Sequence, residues 1–239
     1  MDNDDKPIGK ILNRRKVLAA LGLGGLAGAA GLVGSQGQQV VAQGNTLPAC
    51  IVRPAMTEGP YFVDEKLNRS DVRSDPATGT VRPGVPLTLR FLVSRVASSG
   101  CAPLPGAIVD IWHCDAEGLY SDVRDRFGDT RGQKWLRGFQ TTGAQGIAQF
   151  QTIYPGWYPG RAVHIHFKIR FQGRDFTSQL FFEESLNDRV LAQAPYAKPG
   201  SRTRNATDNI YRNGGSQLLL SLTPSGSGYA TTFDIGLNL

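Results

Sequence analysis

From residue 163 to 171 apolar and polar side chains alternate without a break: Val163, Ile165, Phe167, Ile169 and Phe171 against His164, His166, Lys168 and Arg170. Period-two alternation belongs to a β-strand with one face on a core and the other turned away from it. The same rhythm recurs in Leu87, Leu89, Phe91 and Val93, set against Thr88, Arg90, Leu92 and Ser94. Further short runs at 107–114, 138–142, 147–153, 176–182, 217–222 and 229–235 are parted by Gly, Pro, Asn and Ser, which is how strands are punctuated. Only 185–193 reads as a short helix, and Thr-Pro-Ser-Gly-Ser-Gly at 223–228 reads as the turn of a final hairpin. The pattern predicts an all-β fold, an antiparallel β-sandwich, with a small barrel as the competing closure. Residues 43–83, rich in Pro, Asp, Asn and Arg and without periodicity, read as an irregular arm ahead of the sandwich at 84–239.

The first 42 of the 239 residues break this pattern. Arg14-Arg15-Lys16 runs into an uncharged stretch of Leu, Ala and Gly that ends near Gln36. That is the layout of a twin-arginine export signal, and so much Gly and Ala makes a poor membrane anchor. The small residues of Val40-Val41-Ala42 suit cleavage there. The expected destination is periplasmic or extracellular, with membrane contact only during export. The formal net charge of +6 is scattered rather than interleaved with aromatics, which argues against nucleic-acid binding and leaves a mild attraction for anions. Three cysteines in an exported chain fit one disulfide and one thiol. Cys50 and Cys101 sit at loop-like positions and Cys114 in an apolar run, which favours Cys50–Cys101 over three buried thiols. An open sandwich with an irregular arm suits a homodimer.

Candidate chemistry concentrates in 158–166, Tyr-Pro-Gly-Arg-Ala-Val-His-Ile-His. Residues i and i+2 of a strand share a face, so His164 and His166 can bind one ion; two surface histidines are the plain alternative. The aromatic turn Tyr154-Pro-Gly-Trp-Tyr-Pro-Gly160 holds Tyr158 near that face. A second tyrosine closes Asp110-Ile-Trp-His-Cys-Asp-Ala-Glu-Gly-Leu-Tyr120, where a strand runs into a loop.

At these residues the chain resembles the intradiol ring-cleavage dioxygenases, the non-haem iron(III) family that includes protocatechuate 3,4-dioxygenase and catechol 1,2-dioxygenase. The likeness runs from Thr57-Glu-Gly-Pro-Tyr-Phe62 through 110–121 and Leu136-Arg-Gly-Phe-Gln140 to 154–166 and Thr177-Ser-Gln179. It implies one iron(III) per chain, ligated by Tyr120, Tyr158, His164 and His166 with a solvent hydroxide. The donor types agree with that metal. A phenol titrates near pH ~10 in water and ligates well only to a metal acidic enough to take its proton. Anionic oxygen donors stabilise the ferric state, whereas zinc more often collects histidine, cysteine or carboxylate.

The resemblance further implies that a catechol binds through both oxygens, and that hydroxide and Tyr158 take up its protons. Attack by dioxygen then opens the ring between the hydroxyl-bearing carbons to a cis,cis-muconate-type diacid. Arg161 matches the family arginine that stabilises charge on the substrate, and Gln179 a polar residue beside it; a surface turn residue and a solvent-facing glutamine are the plain readings. Tyr61 is a candidate wall of the substrate pocket, while Tyr154 and Trp157 fit packing better. His113, out of phase with any ligand position, reads as a structural histidine bonded to backbone or water.

Only five residues separate Tyr158 from His164, and no long helical segment precedes the strands, so the likeness leans toward the protocatechuate type. The competing readings are an exported β-sandwich module that binds carbohydrate or protein without turnover, and a zinc hydrolase on the same strands. Retention of all four ligand types favours the dioxygenase.

Overall fold

The computed structural model describes residues 51–98 and 100–239; the expected export signal at 1–42, the start of the arm and Cys50 lie outside the described residues. One sheet is built on β1 (Pro86–Ala97). On one side β1 pairs with β11 (Gly228–Leu237), which is followed by the edge strand β10 (Thr223–Ser225). On its other side the first half of β1 pairs with β7 (Ile147–Ile153) and the second half with β2 (Gly100–Pro103). The second sheet runs β6 (Arg137–Thr141), β3 (Ile108–Trp112), β8 (His164–Phe171), β9 (Arg174–Phe181), antiparallel throughout. A two-stranded ribbon, β4 (Arg124–Asp125) and β5 (Gly128–Asp129), stands apart.

The alternation in the sequence decides which faces meet. Leu87, Leu89, Phe91 and Val93 are fully buried, as are Ile165, Phe167 and Ile169 from the facing sheet. Phe91 lies 5.3 Å from Phe167 and Phe167 lies 5.6 Å from Phe233, ring centre to ring centre, so aromatic contacts join the two sheets. Each such burial stabilises the fold by about 1.5–3 kcal/mol. The sandwich, rather than the barrel, is the closure adopted.

Three expectations need correction. The antiparallel rule has one exception, because β1 and β11 run parallel over Leu87–Arg95 and Tyr229–Leu237. Nearly the whole domain forms the crossover between them, which is what a parallel pair needs. The strand expected at 217–222 is instead a 3-10 turn, Gly215–Leu218, followed by extended chain with a single bridge, Leu219 to Phe181. Leu218 and Leu220 are both buried, so the alternation reported burial correctly; the preceding residue, Gly214, sits at φ +117° and tightens the backbone into the turn. The final hairpin is real, but its turn is narrower than 223–228, because Thr223–Ser225 already pairs with β11. The helix expected at 185–193 is α1, Glu184–Leu191. The sequence pattern missed β2, the β4–β5 ribbon and a one-turn helix α2, Asn209–Arg212.

Ahead of β1 the arm seals exposed sheet edges. Leu67 and Arg69 exchange backbone hydrogen bonds with Phe139 on β6, and Ser70 and Val72 with Gln151 on β7. It therefore stitches an edge of one sheet to an edge of the other, leaving neither open to a foreign strand. Residues 57–66 then lie over the outer face of β8, held by ion pairs of Glu58 with Lys168 and of Asp64 with Arg170. Cys101 is disulfide-bonded and Cys114 is a buried free thiol, which excludes three free thiols; Cys50, the expected partner, lies outside the described residues.

Candidate metal centre

His164 and His166 project from the start of β8 on the face opposite the core, yet both are buried, because the arm and two loops cover them. Their Nε2 atoms lie 3.0 Å apart. Tyr120 reaches them from the loop after β3 and Tyr158 from the loop before β8, each with its hydroxyl 3.3 Å from His164 Nε2. Donors bound to one first-row metal at about 2.0–2.1 Å stand roughly 3 Å from one another, so these spacings suit a single ion. Among the described residues no three His, Cys, Asp or Glu side chains gather as a metal site; the tyrosines are indispensable to this one.

Hydrogen bonds aim the donors. His164 Nδ1 donates to the Ala162 carbonyl at 2.6 Å, which turns its Nε2 lone pair toward the cluster. His166 is flanked on the sheet by its register partners, Trp112 on β3 and Gln179 on β9. Two loops bring the tyrosines together. In the first, Asp115 accepts from the backbone N–H groups of Glu117 and Leu119, and Gly118 adopts φ +90° against the Trp157 carbonyl, where a Cβ would clash at 2.3 Å. Lys198 ties that loop to the second by donating at 2.5 Å to the carbonyls of both Glu117 and Trp157.

Burial opposes charge on every donor. Burial raises the Tyr120 and Tyr158 phenols well above the ordinary range. Burial, reinforced by the nearby Arg161 charge, pushes both histidines down. Four neutral polar groups crowded in a buried cluster, one carrying a buried atom without a partner among the described residues, His166 Nδ1, are a poor arrangement by themselves. A strongly acidic cation would reverse the penalty, stabilising phenolates and neutral imidazoles together.

The remaining predicted residues surround this cluster. Tyr61 stacks on Tyr120, with centroids 4.3 Å apart, and meets Tyr158 edge-on. Its hydroxyl donates to Asp125 at 2.9 Å, and burial, then that bond, moves its pKa up to about 12. Arg161 and Gln179 are in contact, Nη2 donating to Oε1 at 2.5 Å. Gln179 is fully buried, so the solvent-facing reading fails. His113 is a structural histidine, buried between the Cys114 carbonyl and Thr152 Oγ1. Tyr154 and Trp157 belong to the core.

Sequence reasoning missed Trp112, Arg137, Lys198 and Asp208. Arg137 donates to the Ser121 and Tyr61 carbonyls and so joins the arm to the loop of Tyr120; its place inside Leu136-Arg-Gly-Phe-Gln140 was the available signal.

Comparison with known proteins agrees over most of the chain. The Dioxygenase_C family model, described as dioxygenase, matches residues 57–237. The protocatechuate 3,4-dioxygenase beta chain of Burkholderia cepacia is 28% identical over 210 residues, 82% of this chain and 85% of that one. A chlorocatechol 1,2-dioxygenase from Pseudomonas sp. (strain P51) is 29% identical over 150 residues, 55% of each chain. The solved intradiol ring-cleavage dioxygenase from Tetranychus urticae superposes with a TM-score of 0.69 at 30% identity, covering 79% of this chain and 95% of that one.

Proposed function

Because the chain belongs to the intradiol ring-cleavage dioxygenase family, we propose that it opens a catechol between its hydroxyl-bearing carbons at one non-haem iron(III) held by Tyr120, Tyr158, His164 and His166. Both atoms of dioxygen enter the product, a muconate-type diacid. The observation that carries this reading is the convergence of two phenol oxygens and two imidazole nitrogens in one buried cluster. When bound, iron(III) supplies the acidity that ionises phenols at neutral pH and makes a catecholate electron-rich toward dioxygen. A binding module without turnover has no use for such a donor set.

The surrounding side chains divide the remaining work. Tyr158, the less buried of the two tyrosines and borne on a loop, is the phenolate assigned to accept a catechol proton at Oη. Tyr61 forms a wall against which a substrate ring can lie. Arg161, whose charge reaches all four donors, stabilises negative charge on the ring. The arm helps to bury the cluster, and a low-dielectric surrounding strengthens each of these interactions.

The match covers more of the protocatechuate relative than of the chlorocatechol one, which supports kinship with the protocatechuate type of chain and leaves catechol, protocatechuate and hydroxyquinol as the substrates to compare. Residues 1–42 carry the features of a twin-arginine signal, and export of the folded, metal-loaded protein follows from that reading. Replacing Arg14 and Arg15 by lysine is expected to retain the protein in the cytoplasm with its activity intact.

The test is direct. Protein reconstituted with ferric iron should be red from phenolate-to-iron charge transfer, hold one iron per chain, and consume oxygen with catechol, protocatechuate or hydroxyquinol. Tyr158→Phe and His164→Ala should each cut that uptake severely. Colourless, iron-free protein after reconstitution would refute the assignment.

A further inference from the structure

Arg161 is held as well as present. Its Nε donates to Asp208 Oδ2 at 3.0 Å, and its Nη2 to Gln179 Oε1 at 2.5 Å. Gln179 in turn donates from Nε2 to the Thr57 carbonyl at 2.9 Å. Two separate elements thus fix the guanidinium plane, leaving Nη1 without a partner among the described residues. Asp208 is saturated. Oδ2 also accepts from the Ala162 N–H at 2.7 Å, and Oδ1 accepts from the N–H groups of Ile210 and Tyr211, the start of α2. Its side chain is 1% exposed, and a buried carboxylate with four donors is locked in place.

On the functional reading above, we propose that Asp208 is a positioning residue for ring opening, acting through Arg161. Arg161 follows Gly160 in a surface turn, and a free arginine there would sample many rotamers. Asp208 removes that freedom by taking Nε, one of the two contacts that together set the guanidinium plane, and by anchoring the backbone of the next residue. Gln179 completes the hold from β9. Neutralising charge alone would not require Nε; orienting Nη1 toward a bound catechol does.

Asp208→Asn tests this, because the Asn Oδ1 can still cap α2 while Nδ2 cannot accept from Arg161 or Ala162. The expected result is a kcat lowered roughly 10- to 100-fold, the range for one charge-assisted hydrogen bond. KM should change by less than about threefold, with the red absorption and iron content retained, because the iron ligands stay in place. In the Arg161→Gln background, adding D208N should cost nothing further, since the two residues act as one unit. Parental kcat in D208N, losses that multiply in the double variant, or loss of iron uptake would each overturn the proposal; the last would make Asp208 a builder of the ligand set. A parent enzyme that is red and loaded but opens no catechol would defeat the functional reading instead.

Discussion

The indole of Trp112 lies flat on the imidazole of His166, ring centroids 4.9 Å apart and planes 8° from parallel. The two residues are register partners on β3 and β8, so the contact is built into the sheet. His166 Nδ1 has no hydrogen-bond partner among the described residues, unlike His164 Nδ1 on its carbonyl. Packing therefore orients the His166 ring where hydrogen bonding orients its neighbour.

Trp112→Leu keeps a buried apolar side chain but removes the stacking plane. It should lower the stability of the metal-free protein by about 2–3 kcal/mol in denaturant titration. Ferric iron should bind about tenfold more weakly in competition with a chelator, at the mild end of what loss of a supporting partner costs. Unchanged iron affinity would show that β8 alone orients His166.

Gly59 also stands against that ring. It adopts φ +72°, and a Cβ there would stand 3.3 Å from His166 Cε1. Gly59→Ala combines backbone strain with this contact, so a loss of about 1–2 kcal/mol and a lowered iron content per chain are expected. Spectrophotometric iron titration beside a thermal melt checks both.

Lys198 bridges the loops of Tyr120 and Tyr158 and covers the Trp157 ring at 4.4 Å. Lys198→Met preserves the aliphatic packing and deletes the bridge. A destabilisation of about 2 kcal/mol is expected, with a shifted phenolate-to-iron absorption band as the two loops relax apart. A band at the parental wavelength would mean that the Gly118 contact suffices.

Acid should unfold the metal-free protein through its buried histidines. Burial lowers the His113 pKa from 6.5 to about 4, so between those values the unfolded chain binds a proton that the folded one refuses. Stability is therefore full above pH 6.5 and declines as pH falls toward 4, by about 3 kcal/mol from this residue. Denaturant melts across that window measure the slope, and a flat profile would contradict His113 as a neutral buried group.

Much of the site was legible locally. The spacing of His164 and His166 places them on one face under any strand geometry, and the out-of-phase His113 duly turned inward to Thr152. The polar row of β8 was legible as polar but not as buried. Glu58 and Asp64, which hold the arm over it, are 110 and 106 residues away from their partners in sequence, and no periodicity reports such a contact.

The sequence by itself determined the core-bearing strands other than the one expected at 217–222, and the pair of imidazoles, because both depend on the period-two geometry of a single extended segment. The tertiary structure alone decided which residues stand beside that pair. Strand register set Trp112 and Gln179 on either side of His166, and chain reversal brought Asp208 to Ala162 across 46 positions. Local patterns record which face is apolar. Register and long-range closure are settled only when the sheets pack, since their free energy lies in contacts between segments that are strangers in sequence.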